Sequence, residues 1–145
     1  MTDIAMILDK LGRRLVSDVA PHLEGTYAGG QAGMIGLMAV MAGEAWDGAA
    51  DRLVREIDGA RALLKAGGVE DDTRAESLRI GELTQVRDRL MGQLVALQAK
   101  IETDTSETAR ALNARIWGFF LASAHERMPS PPDFPEPDTE AGDPA

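Results

Sequence analysis

An all-α fold, an antiparallel bundle of four to five helices, follows from three features of this sequence. Apolar residues recur at steps of three and four in five segments. No stretch alternates apolar and polar residues as a half-buried strand does. Prolines and glycines fall where the helical patterns stop. Helical segments joined by short loops, with no strand to build a sheet, pack as antiparallel neighbours.

The first helix is expected over Asp3–Ala20, with Thr2 as N-cap and Ile4, Leu8, Leu11, Leu15 and Val19 on its apolar stripe. Pro21 lacks the N–H that a continuing helix needs, and Gly25 follows as a stop. The second spans Tyr27–Trp46 and is closed by Asp47-Gly48. The third runs from Ala49 to Ala66, burying Leu53, Ile57, Ala60 and Leu64, and ends at Gly67-Gly68.

A fourth, long helix is expected from Arg74 to Glu102. Thr73 and Glu76 outline a capping box, and Leu83, Val86 or Leu90, Leu94, Leu97 and Ile101 form the stripe. At 1.5 Å per residue it would reach roughly 43 Å. That outruns its neighbours and calls for a partner outside the chain, most simply a second copy in a homodimer. After caps at Asp104, Thr105 or Ser106, a fifth helix carries Leu112, Ile116, Phe119 or Phe120, and Ala124, ending near Met128.

Residues 1–128 are therefore read as one helical domain. Pro129–Ala145 holds six of the seven prolines, five acids and no base, the composition of a disordered acidic tail. Pro132-Asp133-Phe134-Pro135 has the outline of a polyproline II ligand. Removing the tail leaves 19 acids against 15 bases. A total charge of −9 argues against nucleic-acid binding, which needs a basic face. The absence of cysteine excludes disulfides and thiol chemistry and suits the cytoplasm, as does the acid in Met1-Thr2-Asp3-Ile4 where a secretory signal would be basic. Tyr27–Gly43 is uncharged, but five glycines and Gln31 argue for a helix of a globular protein and not for a membrane span.

The second helix holds the most information. Gly29, Gly33, Gly36, Val40 and Gly43 form one narrow face, and Met34, Met38, Met41 and Ala45 the opposite one. Interior glycines cost about 0.8–1.0 kcal/mol each relative to alanine. Close approach of another helix, from the same chain or a dimer mate, would offset that cost. The methionine face reads either as ordinary core or as a deformable pocket for an acyl-like ligand, with Glu44 and Trp46 at its end.

Chemical machinery is sparse. His22 lies four residues beyond Asp18, and His125 sits in the last turn of the fifth helix, but neither belongs to a visible catalytic set. No GxSxG or GxxxxGK[ST] motif occurs, and Gly30, Gly33 and Gly36 are out of register for a dinucleotide fingerprint. Position 19 is Val and position 122 is Ala, so neither histidine completes the ExxH pair of a di-iron bundle. Asp51/Arg55 and Arg52/Glu56 read as ion pairs on a solvated face, and Arg115, Trp117, Phe119 and Phe120 as aromatic core or a contact patch.

Val19-Ala20-Pro21-His22-Leu23-Glu24-Gly25, followed by a small-residue apolar helix ending in Glu44, resembles an uncharacterised family of short bacterial helical proteins. The resemblance covers residues 15–44. It implies a gene encoded beside aminoglycoside-phosphotransferase-like and acyl-CoA dehydrogenase genes, with no assigned activity. Early in the second helix, Gly29-Gly30-Gln31 replaces the expected His and Arg. The expectation is a non-catalytic cytoplasmic protein without metal or cofactor. It would act by self-association or as an accessory to a larger enzyme, with carriage of an apolar ligand as the alternative.

Overall fold

The computed structural model describes residues 3–131 and 133–134. The protein is all-α, with helices α1 (Ile4–Arg14), α2 (Tyr27–Asp47), α3 (Ala49–Ala66), α4 (Ile80–Ile101) and α5 (Glu107–Glu126), and no strand among the described residues. They fall into two compact units, Met1–Trp46 with Pro129–Ala145, and Asp47–Met128. Thr2, Pro132 and everything beyond Phe134 lie outside the described residues, which takes in most of the expected tail and both prolines of the PxxP outline.

In the first unit Asp3 caps α1, its carboxylate accepting the Met6 N–H at 3.2 Å. The α-helix stops at Arg14, short of the expected Ala20. Leu15–Val19 forms a π-helical turn, in which the Ala20 N–H donates to the Leu15 carbonyl at 2.9 Å. A 3₁₀ turn at Pro21–Leu23 and a left-handed Gly25, φ 75°, then reverse the chain. Thr26 opens α2, its Oγ accepting the Gly29 N–H at 3.1 Å.

The two helices meet backbone to backbone. A Cβ placed on Gly36 would lie 2.6 Å from the Gly12 carbonyl oxygen and 2.8 Å from the Val16 side chain. A Cβ on Gly12 would lie 2.5 Å from the Gly36 oxygen. Gly43 faces the Ala5 oxygen in the same way, at 2.9 Å, and Gly29 faces the Leu23 carbonyl. Gly33 is looser, with Ala20 Cβ at 3.9 Å. The neighbour of the glycine face is thus α1 and the turn after it, in the same chain. The seam runs through Ala5, Leu8 and Gly12 of α1 and Leu15 and Val16 of the π-helical turn, which displaces the expected stripe: Ile4, Leu11 and Val19 are exposed. The displacement has a steric cause, because only Gly12 lets the two backbones touch.

In the second unit α3, α4 and α5 enclose a core in which Leu64, Leu90, Leu94 and Ile116 are fully buried. α3 ends in a Schellman motif: Gly68, φ 75°, donates its N–H to Lys65 at 3.1 Å, and Val69 donates to Leu64 at 2.9 Å. Ser106 caps α5, accepting the Ala109 N–H at 3.3 Å.

α4 begins at Ile80, not Arg74, so Thr73 and Glu76 form no capping box. Residues 67–79 are an irregular connection instead. Its anchor is buried Asp71, whose carboxylate accepts the Thr73 N–H at 2.7 Å, Arg89 Nε at 3.0 Å and Gln93 Nε2 at 2.6 Å. A helix starting at residue 74 would break that set. With 22 residues, about 33 Å, α4 matches its neighbours, and length no longer argues for an outside partner.

Glu56 also departs from expectation. It is only 5% exposed, not solvated, and accepts Arg87 Nε at 2.9 Å and a fork from Arg127 at 2.6–2.9 Å, tying α3 to α4 and to the end of α5.

Two measurements check these contacts. Gly36→Ala gains helix propensity but drives a methyl into the Gly12 carbonyl, so a net loss of about 1–2 kcal/mol is expected. Gly30→Ala, with open space around it, should gain up to about 1 kcal/mol in the same thermal melts. The Thr73 side chain and N–H, helped by Gln93 and Arg89, outweigh burial and hold the Asp71 carboxyl well below the usual carboxylate range. A lowered folded-state pKa contributes stability that is complete above the unfolded value near ~3.9 and declines as pH falls below it. Urea unfolding of Asp71→Asn should show lower stability at pH 7 and a shallower decline from pH 5 to pH 2 than the parent.

Candidate functional site

α2 carries no charged side chain between Tyr27 and Gly43, and its two faces have opposite fates. The glycine side is covered, with Gly29, Gly36, Val40 and Gly43 buried. On the methionine side Met34 is 58% exposed, Ile35 57% and Met38 61%. Met41 is half-buried, and Tyr27 and Trp46 mark the exposed ends. Met34 and Met38 are therefore not core. The reason is the bare seam on the other side: helices in backbone contact bury little but glycine, and their long side chains point away.

Glu44 lies at the edge of this helix and is not a free helix end. Its carboxylate accepts the Ser130 Oγ–H at 2.6 Å and the Ser130 N–H at 3.1 Å. Three residues on, Arg13 donates to the Asp133 carbonyl at 2.6 Å, and its guanidinium stands 5.7 Å from the centre of the Phe134 ring. The start of the proline-rich segment thus lies along the first unit. Nothing in composition marked Ser130 as the partner of Glu44.

Among the described residues the histidines form no acid–base set. His22 and His125 are both exposed. The contact expected between His22 and the Asp18 carboxylate goes to the Asp18 backbone oxygen, 2.6 Å from Nδ1, while that carboxylate pairs with Arg14 at 3.4 Å. Among the described residues no group of three or more His, Cys, Asp or Glu is placed to hold a metal ion, and no helix is long and apolar enough to cross a membrane.

Two open cavities flank the connection between α3 and α4. One, of about 330 Å³, lies over Val54, Ile57 and Leu83 with Arg61, Arg74 and Leu78 around it. The other, of about 520 Å³, is bounded by Thr73, Arg74, Glu76, Glu82 and Arg89. Neither is lined by Met34, Met38 or Met41. Trp117 is exposed on α5 and stands edge-on to Phe120, while Phe119 and Phe120 pack on the core.

No family model, curated protein or solved structure matches the chain.

The Glu44 contact is open to test by amide exchange. Glu44→Ala removes both acceptors from Ser130 and should cost about 1 kcal/mol locally, near fivefold faster exchange of the Ser130 amide. Exchange in the α3–α5 core should be unchanged.

Proposed function

We propose that this protein is a non-catalytic helical module that self-associates through the exposed apolar face of α2. The observation that supports this reading is the exposure of Met34, Ile35 and Met38 on a helix that is apolar all round. A helix of that kind is ordinarily enclosed, and contiguous exposed apolar surface marks an interaction site.

The occupant we favour is a second copy of the chain. A chain of net charge −9 repels its own copies through most of its surface. The α2 face has no charge over Ala28–Gly43, so two such faces meet without like-charge contact. Two α2 helices packed antiparallel through these faces, each backed by its own α1 on the glycine side, would be related by a twofold axis, and methionine suits a surface that must repack against itself. A larger enzyme to which this chain is an accessory would use the same face. An apolar-ligand carrier would need a concavity beside the methionines, and the two cavities described lie elsewhere. The lack of cysteine fits a cytoplasmic setting.

Sedimentation velocity at micromolar concentration tests the reading. The parent chain should run as a dimer. Met38→Glu places an unpaired carboxylate in the interface and should weaken the dimer by about 3 kcal/mol or more, giving monomer with an intact far-UV spectrum. Trp117→Glu, on an exposed position of α5, should leave the dimer unchanged. A parent chain that runs strictly as monomer would overturn the proposal.

A further inference from the structure

The smaller cavity beside the α3–α4 connection has the make-up of a binding cleft for an amphipathic monoanion. Its floor is apolar, formed by Val54, Ile57 and Leu83. Its rim carries two guanidinium groups, Arg61 and Arg74, against one carboxylate, Glu76. Asp58 already pairs with Arg61 at 3.3 Å, so among the described residues of the rim the free cation is Arg74, and one such charge beside an apolar floor suits a single negative head joined to an apolar body.

The details sharpen the match. Arg61 Nη2 donates to the Thr73 carbonyl at 2.8 Å, which fixes the guanidinium, and Nη1 makes only a long 3.3 Å contact with Asp58. Arg74 makes no hydrogen bond or ion pair among the described residues. Both cations are arginines, whose planar forks fit a carboxylate edge-on. At the lip Leu78 is 72% exposed, an apolar side chain with nothing over it.

The wall is also built to hold its shape. Asp71 ties the connection to α4 through Arg89 and Gln93, and Arg61 ties it to α3, so residues 71–73 are held from both sides. An irregular connection of this length is uncommon in a compact unit and is more often functional than incidental. We infer that this cleft binds a small amphipathic carboxylate, its head between Arg61 and Arg74 and its chain over Val54, Ile57 and Leu83 beneath Leu78. At about 330 Å³ it stands at the small end of ligand pockets, so the chain is short to medium in length. This inference is independent of the α2 face and would survive its failure.

The probe is decanoate below its micellar concentration, titrated into the full chain by calorimetry and by amide chemical-shift mapping. Saturable binding of one decanoate per chain is expected, with shifts concentrated at residues 57, 61, 74, 78 and 83. Decanol, which lacks the charge, and acetate, which lacks the chain, should each bind at least about tenfold more weakly. Arg74→Ala and Leu78→Ser, both at exposed positions, should each weaken decanoate about tenfold while leaving the melting temperature within a degree or so of the parent. Any of three results would overturn the inference: no saturation at millimolar decanoate, decanol binding as tightly as decanoate, or shifts centred on Met34 and Met38.

Discussion

Contact between the Gly12 and Gly36 backbones governs the first unit of this protein. Two helices approach until each carbonyl oxygen stands where the other's Cβ would be, and no residue but glycine permits that. The gain is in dispersion and Cα–H···O contacts spread along the seam, with Gly43 against Ala5 at one end and Gly29 against the Leu23 carbonyl at the other. The turn between the helices serves the same contact. The π-helical turn, the proline-led 3₁₀ turn and Gly25 together bring the chain back close enough for glycine to meet glycine.

A seam made of backbone buries few side chains. Among the described residues of the first unit Val40 is the one buried large apolar residue, while Ile4, Leu11, Met34, Ile35 and Met38 remain in contact with solvent. In the second unit large side chains fill the interior, with leucines and isoleucines at the centre of the core. The contrast links packing to function. A helix pair held together through its glycines keeps its methionines available, and that availability is the basis for reading α2 as the surface through which copies meet.

The second unit depends instead on two buried carboxylates. Glu56 gathers Arg87 and Arg127, joining all three of its helices near one point. Asp71 gathers Thr73, Arg89 and Gln93 and so decides that the chain from 67 to 79 stays irregular. Each acid is satisfied by several donors, as burial requires. The cleft over Val54, Ile57 and Leu83 exists because Asp71 stops α4 from starting six residues earlier.

Local chemistry determined much of this protein. The five helices, their punctuation at Pro21, Gly48 and Gly67-Gly68, and the core stripe of α3 and α4 are legible because apolar spacing and backbone stereochemistry act within a few residues. The glycine stripe of α2 was legible too, and an interior glycine in α1, Gly12, was the unheeded sign of its partner. Tertiary structure alone decided which helix covers that stripe, that the methionines face outward, and that Glu44 meets Ser130. It also decided that Asp71 overrides the Thr73–Glu76 capping pattern. In each case the deciding partner is distant in the chain or lies around a turn, where spacing carries no information and only three-dimensional contact selects among donors, acceptors and faces of similar local propensity.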